Sequence, residues 1–453
     1  MGLWRGHGGA QVRLGPRLGK GPAPADVVLV VALAAIAIAI SFAATPFAAG
    51  AVEPDPAYAQ QWNLTRINVE EAWAGGRGRG AVVAIVDSGV DLGHEDLRDR
   101  IVGQTSCIGT VGDPDRCGGS AQDDDGHGTH VAGIVAATAG NGLGVAGVAP
   151  EASILVVRVL HRRCDDGACA VGGAGADVAA GVRWAARQGA HVINLSLGNT
   201  VSRALGSDFD GAVDEAWARG AVVVLAAGND LAAAPLSAES PAIVVTATDR
   251  EDGRPAYTHG TEEAGPSARF GMAAPGGATG DNPASCAAQP VGVLSTYAQD
   301  GHSTYGCLAG TSMAAPHVAG AAALLRGLGL GAEETRDRLL ATADDLGAPG
   351  PDPVYGAGRL NAGRAVTAAM VVPASDPVTV AGGTPTPVPT IRPSTTAPPA
   401  PLARSLPAPP PSTPTPPEGK PDRGSRLLPG AGAAVLAAGT GAGAWRVRRR
   451  QLD

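Results

Sequence analysis

Aromatic residues and lysines are scarce in this chain of 453 residues. Phe, Trp and Tyr together number 15, and Lys20 and Lys420 are the only lysines among 34 basic residues. With so few aromatic rings, a core has to be built mainly from Ala, Val and other aliphatic side chains. The shortage of lysine is interpreted as codon bias and carries no functional meaning.

Basic charge is also scarce in residues 52–372, the part of the chain whose composition is typical of a globular domain. Residues 52–372 carry 21 basic and 37 acidic residues, a net charge of −16. Proteins that bind nucleic acids need a basic patch or stripe that contacts phosphates. The acidic balance therefore excludes a nucleic-acid partner.

Cysteine pairs with the CxxC spacing of zinc sites are absent. The six cysteines, Cys107, Cys117, Cys164, Cys169, Cys286 and Cys307, all lie in the acidic middle region. An even number in a secreted domain predicts disulfides, for which fifteen pairings are possible. We expect nearest-neighbour pairing, because each pair lies within one loop rich in Gly, Asp and Ser.

The N-terminal residues 1–51 have the layout of a secretory signal peptide. Four basic residues precede Asp26, an apolar run extends from Val27 to Ala44, and Ala49-Gly50-Ala51 supplies small residues for cleavage. The apolar run approaches the length of a membrane span, so an uncleaved N-terminal anchor is the alternative.

The C-terminal part divides into a spacer, an apolar run and a basic tail. Residues 373–426 form a linker that includes 17 of the 37 prolines and predicts an extended spacer. Residues 427–445 are uncharged and predict a transmembrane helix, and the arginines of residues 446–453 predict a cytoplasmic tail. The segment 428–432 also resembles a sortase signal, which leaves cell-wall attachment as an alternative. Both readings place residues 52–372 outside the cell.

Residues 52–372 alternate apolar runs with helical stretches. The predicted strands are Val82–Val86, Ile154–Val159, Val192–Leu197, Val222–Ala226 and Ile243–Thr248, and the predicted helices are Val131–Ala139, Ala176–Gln188, Asp210–Arg219 and Ser312–Leu325. Continuous β-branched strands between helices predict an α/β fold with a mostly parallel sheet covered on both faces. The functional site of such a sheet lies at the carboxyl ends of its strands.

Three segments bring reactive side chains to that edge. Asp87-Ser88-Gly89 ends the first predicted strand, the segment from His127 to Gly133 reads HGTHVAG, and the segment from Gly310 to Gly320 reads GTSMAAPHVAG. The last segment places Ser312 at a helix start, with Pro316 expected in the first turn. A carboxylate, an imidazole and a hydroxyl thus follow in the chain order Asp, His, Ser, which is the order of subtilisin.

These three motifs resemble those of the subtilisin-like serine proteases, the subtilases, over roughly residues 61–368. The resemblance implies that Asp87 orients the imidazole, that His127 is the general base and then the acid, and that Ser312 is the nucleophile. A serine hydroxyl is a poor nucleophile until an imidazole accepts its proton, which is why these residue types belong together. The enzyme would be a serine endopeptidase that acts on proteins or peptides without a catalytic cofactor.

The resemblance extends to residues around the reacting groups. Asn229, in Ala227-Gly228-Asn229 after the strand Val222–Ala226, matches the subtilase Asn that donates its amide in the oxyanion hole. Ser196-Leu197-Gly198 resembles the segment that pairs with substrate as an added strand. The primary pocket is expected to include Ala226, Ala227 and Gly228.

A calcium site is implied by a further similarity. The loop of residues 138–145 resembles a subtilase loop that wraps Ca²⁺, so Asn141 would be a side-chain ligand, Asp96 a carboxylate ligand and Asp55 an N-terminal ligand. The alternative is an ordinary Gly-rich turn without an ion.

Other polar residues near the motifs are expected to have structural roles. His130 and His317 lie one turn beyond His127 and Ser312, and they are expected to pack within their helices. The run from Asp123 to Asp125 is expected to be the solvated edge of a loop, with a second cation site as the alternative.

Two features depart from ordinary secreted subtilases. Only about ten residues separate the proposed cleavage site from Gln61, so an inhibitory prodomain does not fit there. Signal, protease, Pro-rich spacer and membrane helix instead resemble the mycosins, membrane-anchored subtilases of type VII secretion systems, although the second histidine, His130, departs from their motif. A generic anchored subtilase and a catalytically silent scaffold are the alternatives, and an α/β-hydrolase is excluded because GTSMA is not G-x-S-x-G.

Overall fold

The computed structural model of this chain describes residues 55–165, 168–197, 207–229, 240–261, 270–278, 286 and 290–370. The strands are β1 (Val82–Asp87), β2 (Ile101–Ser106), β3 (Ser153–Arg158), β4 (His161–Asp165), β5 (Ala168–Gly172), β6 (Val192–Leu195), β7 (Val222–Ala226), β8 (Ile243–Thr248), β9 (Gly271–Pro275), β10 (Val293–Gln299) and β11 (His302–Leu308). The α-helices are α1 (Trp62–Arg66), α2 (Val69–Gly75), α3 (His127–Ala136), α4 (Gly175–Arg187), α5 (Ser207–Ala218), α6 (Thr311–Gly327), α7 (Ala332–Ala341) and α8 (Ala362–Met370).

Seven strands form a parallel sheet in the order β2-β3-β1-β6-β7-β8-β9. Every residue of β6, β7 and β8 is buried, as expected of strands covered by helices on both faces. The α/β architecture with a mostly parallel sheet is thereby confirmed.

Alternation along β1 shows how the two faces are filled. Val83 and Ile85 point into one apolar cluster together with residues of α3 and α6. Ala84 and Val86 point into a second cluster together with residues of α4 and α5. Successive strand residues face opposite sides of a sheet, so β1 lies between two helical layers. Aliphatic side chains fill both clusters, as the shortage of aromatic residues requires.

Sequence reasoning located the interior elements better than the edges. The strands β7 and β8 have the predicted bounds, whereas β2, β9, the hairpin β10–β11 and the hairpin β4–β5 were not predicted. Strand β2 lies at the sheet edge, and its residues alternate between partly buried and exposed, so it lacks the continuous apolar run that identifies interior strands.

Three disulfides join Cys107 to Cys117, Cys164 to Cys169, and Cys286 to Cys307. These are the nearest-neighbour pairs that the sequence predicts.

The predicted signal peptide, Pro-rich linker, transmembrane helix and basic tail lie outside the described residues. Among the helices of the described part of the chain, none combines the length and the apolar character needed to span a membrane.

Candidate active site

Three neighbouring strands bring polar residues to one edge of the sheet. Strand β1 ends at Asp87, β6 is followed by Ser196, and β7 leads to Asn229. The strands are adjacent and parallel in the order β1-β6-β7, so their carboxyl ends meet. His127 is the first residue of α3 and Ser312 the second residue of α6, and both contact this edge.

Asp87 and His127 form a hydrogen-bonded pair in which Asp87 is buried and His127 is partly exposed. The fully buried Asp87 accepts hydrogen bonds at Oδ1 from the Ser88 N–H and from His127 Nδ1, both at 2.7 Å. Its Oδ2 is buried and has no hydrogen-bond partner among the described residues. Because a carboxylate only accepts, His127 donates through Nδ1, and in the neutral ring Nε2 is then the acceptor.

The close approach of α3 to this carboxylate requires a glycine at position 128. A Cβ on Gly128 would lie 2.0 Å from the Gly89 carbonyl oxygen and 3.1 Å from the Asp87 Cβ. The Gly128 N–H instead donates to Ser88 Oγ at 2.9 Å. Any larger residue would push the imidazole away from Asp87.

The carboxylates around His127 raise the pKa of its imidazole to about 9. Burial acts in the opposite direction, but the charge and hydrogen bond of Asp87 and the charges of Asp125 and Asp123 outweigh it. The site therefore stabilises the imidazolium, which is the form that the ring takes after it accepts a proton.

Asp123 lies inside the protein with 7% of its surface exposed, so the expectation of a solvated position was wrong for this residue. Its Oδ1 accepts from Ser88 Oγ at 2.9 Å and from the Gly126 N–H at 3.0 Å, and its Oδ2 accepts from the N–H and hydroxyl of Thr129. These are N–H groups that a helix leaves unpaired at its start. Because Asp123 supplies this cap, α3 begins at His127, four residues before the predicted start.

Asp124 behaves as the sequence suggests. It is exposed and pairs with Arg158 at 2.5 Å, on the outer side of the same loop.

Ser312 is held by the segment after β6. Its hydroxyl donates to the Ser196 carbonyl oxygen at 3.2 Å, and the Ser196 hydroxyl donates to the Ser312 carbonyl oxygen at 2.8 Å. Asn194 Nδ2 in turn donates to Ser196 Oγ at 2.9 Å. No hydrogen bond joins the Ser312 hydroxyl to His127 in the described part of the chain.

The exchange between Ser196 and Ser312 has a simple cause in the sequence. Pro316 is an interior residue of α6, not a first-turn residue as expected, because the helix begins at Thr311. Proline has no N–H, so the helical hydrogen bond from residue 316 to the carbonyl of residue 312 cannot form. The Ser196 hydroxyl supplies the missing donor.

Asn229 is oriented by the residue that precedes the predicted nucleophile. Its side-chain Oδ1 accepts from the Thr311 N–H at 3.0 Å and from the Thr311 hydroxyl at 2.9 Å. Its Nδ2 lies beside Gly310, 3.0 Å from where a Cβ would be. The amide nitrogen thus lies at the start of α6, where the Ser312 N–H also has no partner within the helix.

The remaining residues predicted to bind substrate lie along the same edge. Ser196, Leu197 and Ala227 are buried, and the Gly228 N–H donates to Thr311 Oγ1 at 3.2 Å. Gly198 lies outside the described residues.

The residues predicted to bind calcium surround the loop of residues 138–145. Asn141 Nδ2 donates to Asp96 Oδ1 at 2.6 Å, the Asn141 Oδ1 accepts from the Leu143 N–H at 2.8 Å, and Asp96 Oδ2 accepts from the Val145 N–H at 3.1 Å. The Asp55 carboxylate accepts the N–H groups of Gly140, Asn141 and Gly142 at 2.8–3.2 Å. The side-chain oxygens of all three predicted ligands thus accept hydrogen bonds from N–H groups in this structure. Among the described residues, no group of three His, Cys, Asp or Glu side chains could hold a metal.

His130 and His317 are packed within the core. His130 Nε2 bonds to the carbonyls of Val293 and Gly306, and burial lowers the pKa of its imidazole to about 3. His317 Nδ1 donates to the Met313 carbonyl at 2.8 Å, and burial lowers the pKa of its imidazole to about 4. Both rings are neutral and structural.

Sequence reasoning missed Thr311 and Asp123, which position the predicted residues. Thr311 lies within the GTS motif beside Ser312, and that adjacency was its only signal. Asp123 lies four residues before His127, which is near the distance at which a side chain caps a following helix. A capping search upstream of His127 would have found it.

Comparison with known proteins agrees with this arrangement. The family model described as the subtilase family, Peptidase S8, matches residues 78–358. The chain is 39% identical to thermitase of Thermoactinomyces vulgaris over 316 residues, which cover 69% of this chain and 98% of that protein. It is 37% identical to subtilisin BL of Lederbergia lenta over 306 residues, which cover 66% of this chain and 96% of that protein.

A solved structure shows the same similarity. A protease of Pseudoalteromonas arctica superposes with a TM-score of 0.56 at 33% identity. The match covers 70% of this chain and 98% of that one.

Proposed function

Since this chain belongs to the subtilase family and is a serine endopeptidase, we propose that Asp87, His127 and Ser312 are its catalytic triad. The observation that supports this assignment most directly is the 2.7 Å contact of His127 Nδ1 with the buried Asp87, at the sheet edge where Ser312 also lies. That contact leaves His127 Nε2 as the group that accepts a proton.

In the proposed reaction, Ser312 Oγ attacks the carbonyl carbon of a peptide bond while its proton passes to His127 Nε2. Asp87 stabilises the imidazolium that forms. The imidazolium then gives the proton to the leaving amine, and an acyl-enzyme remains on Ser312. Water attacks the ester with His127 again as base, which releases the acid product and restores the serine.

The proposed oxyanion donors are Asn229 Nδ2 and the Ser312 N–H. Thr311 engages the Asn229 carbonyl oxygen, so the amide nitrogen is fixed before substrate binds. Preorganised donors of this kind stabilise the negative charge of the tetrahedral intermediate. In the free enzyme the Ser312 hydroxyl is bonded to Ser196 and has to rotate toward His127 for reaction, and catalytic hydrogen bonds often form only in the complex.

The assignment is tested by chemistry at Ser312. Purified protein is expected to hydrolyse casein and to react stoichiometrically with a fluorophosphonate probe, and Ser312→Ala is expected to abolish both. Probe labelling that persists in Ser312→Ala would refute the role of this serine. A catalytically silent scaffold would show neither reaction, although the presence of Asp87, His127, Ser312 and Asn229 argues against it.

For location, we propose a single-pass membrane protein with its catalytic domain outside the cell. The support is the apolar run 427–445 followed by arginines, together with the Pro-rich residues 373–426 that separate it from the enzyme. Release of the full-length protein from membranes by high salt without detergent would refute the anchor.

The mycosin-like role in type VII secretion rests on this organisation alone, and loss of secretion on deletion of the gene is its test.

We also propose a structural Ca²⁺ held by Asp96, Asn141 and carbonyl oxygens of the loop 138–145. Carboxylate, amide and carbonyl oxygens on a flexible loop are the ligands that Ca²⁺ prefers. EGTA is expected to lower the melting temperature of the wild type but not of Asn141→Ala. A wild-type melting temperature that is insensitive to EGTA would refute the site.

A further inference from the structure

Ser88 lies between the two residues of the proposed catalytic pair. It follows Asp87 in the chain and is fully buried. Its main-chain N–H donates to Asp87 Oδ1 at 2.7 Å. Its side-chain hydroxyl accepts the N–H of Gly128, the residue after His127, at 2.9 Å. One residue therefore bonds to Asp87 through its main chain and to the neighbour of His127 through its side chain.

The orientation of the Ser88 hydroxyl is fixed by Asp123. Ser88 Oγ donates its proton to Asp123 Oδ1 at 2.9 Å, which leaves its lone pairs for the Gly128 N–H. Asp123 is itself held in place by the N–H groups that it accepts at the start of α3. A hydrogen bond to an ionised acceptor is stronger than one between neutral groups. The hydroxyl thus extends the cap of α3 to a peptide group that follows the imidazole.

The peptide groups around His127 are all bonded to side chains. The main-chain N–H groups of residues 126–128 go in turn to Asp123, Asp125 and Ser88. The rotamers open to a side chain depend on the backbone dihedrals that such bonds hold in place. These three acceptors therefore fix the position from which the imidazole reaches its carboxylate. Ser88 is the acceptor that also bonds to that carboxylate.

Loss of the Ser88 hydroxyl would leave the Gly128 N–H as a buried donor without its acceptor, which is unfavourable. Gly128 lies against Asp87, since a Cβ on this glycine would be 3.1 Å from the Asp87 Cβ. The buried Asp87 Oδ2 has no hydrogen-bond partner among the described residues and is open as an acceptor. A peptide group that turned toward Oδ2 would move the attached His127 and draw charge away from its contact with Asp87.

We propose that Ser88 is a positioning residue of the reaction: its hydroxyl fixes the peptide group after His127, so that the imidazole keeps its contact with Asp87. The buried hydroxyl acts through His127 and does not itself contact the reacting atoms. This inference rests on the proposed triad, because Ser88 has this role only if His127 is the base.

The test compares Ser88→Ala with the matched control Ser295→Ala in the full-length protein. The Ser295 hydroxyl is also buried and also bonds to the main chain of α3, where it donates to the His130 carbonyl at 2.8 Å. Values of kcat and KM are measured with a fluorogenic peptide, and melting temperatures report stability. The pH dependence of the fluorophosphonate labelling rate reports the pKa of the base in the free enzyme. Ser88→Thr, which keeps the hydroxyl, and Ser88→Cys, whose sulfur is a weaker acceptor, complete the series.

In Ser88→Ala, kcat is expected to fall about tenfold to hundredfold with little change in KM, as a small misplacement of the base allows. Its labelling rate is expected to rise at a pH about 1 unit lower than in the wild type, because a weaker contact with Asp87 raises the pKa of His127 less. Ser88→Thr is expected to restore the wild-type profile, and Ser88→Cys to lie between the two. Ser295→Ala is expected to lose a similar amount in melting temperature without any shift of the profile.

An unchanged kcat and an unmoved labelling profile in Ser88→Ala, with normal labelling of the wild type, would overturn this inference and leave the proposed triad intact. A loss of kcat without a shift of the profile would make Ser88 a purely structural residue and overturn it as well. The same shift in Ser295→Ala would assign the effect to a general loosening of α3, which also contradicts the inference. Absence of both labelling and cleavage in the wild type would refute the proposed function and this inference with it.

Discussion

Replacing Ser196 by Ala removes the hydroxyl that holds the carbonyl of Ser312, and replacing Pro316 by Ala restores a helical N–H that can take its place. The Ser196 hydroxyl donates to the Ser312 carbonyl at 2.8 Å because Pro316 cannot. The two substitutions therefore act on the same acceptor. We predict that Ser196→Ala destabilises the enzyme much less when Pro316→Ala is also present.

The size of the effect follows from burial. Ser196→Ala leaves a buried carbonyl and the donor of Asn194 without their partner, and an unsatisfied buried group costs about 1–3 kcal/mol. Asn194 cannot compensate easily, since it is fully buried and its Oδ1 already lacks a partner among the described residues. A new bond from the main-chain N–H that Pro316→Ala restores would return about 1 kcal/mol, which is the expected coupling energy.

The measurement is a double-mutant cycle of the free energy of unfolding in denaturant. All four proteins carry Ser312→Ala to prevent self-digestion, and this substitution keeps the main-chain carbonyl that is under test. A cycle that is additive within about 0.5 kcal/mol would refute the idea that Ser196 substitutes for the proline's missing donor. A parallel series that retains Ser312 should show the same order in the rate of fluorophosphonate labelling, since the carbonyl belongs to the proposed nucleophile.

Three further predictions concern the other residues of the site. Asp125→Asn removes a charge that raises the pKa of His127, so the rise of kcat/KM with pH, which reflects the neutral imidazole, should shift to lower pH. Asp124→Asn is the control, and an unmoved pH profile in Asp125→Asn would contradict the electrostatic account. Asn229→Asp keeps the acceptor for Thr311 but loses the amide donor, so kcat should fall by about 10²- to 10³-fold with little loss of stability; a small loss in kcat would remove Asn229 from the oxyanion hole. Asp123→Ala should lower the stability of the protein by about 1–3 kcal/mol and slow probe labelling, whereas Asp123→Asn should retain part of both; equal stability of all three proteins in denaturant would refute the capping role.

Sequence-based prediction was most accurate for features that a short stretch of sequence determines, such as interior strands, motifs and cysteine pairs. Continuous apolar runs identified β7 and β8 with the bounds that the structure has, since a strand buried on both faces has to be apolar at every position. Motif spacing also placed Asp87, His127 and Ser312 at one sheet edge, as parallel strand topology requires. Loop composition was enough to pair the cysteines, because each pair is close in sequence.

Tertiary contacts decided what the sequence could not predict. The start of α3 was placed at Val131 from the apolar run, but the buried carboxylate of Asp123 caps the helix four residues earlier. The hairpin β4–β5 was missed because its residues are polar or small and lack a continuous apolar run. The placement of Pro316 in the first turn was wrong on the predicted bounds as well, since it is the fifth residue counted from Ser312 and the sixth in α6.

The contacts divide the proposed active site into two halves that are held separately. Asp87 and His127 belong to β1 and α3 and are fixed by the cap on α3. Ser312 is held by Ser196, which follows β6, and Asn229 is held by Thr311 of α6. In the described part of the chain, no hydrogen bond joins the Ser312 hydroxyl to His127. Because the Ser312 hydroxyl is bonded to the Ser196 carbonyl, a substrate strand that pairs with the segment after β6 would compete for that carbonyl and free the hydroxyl for His127. The two halves would then be coupled by the substrate itself, because its pairing with the segment after β6 would let the Ser312 hydroxyl turn toward His127.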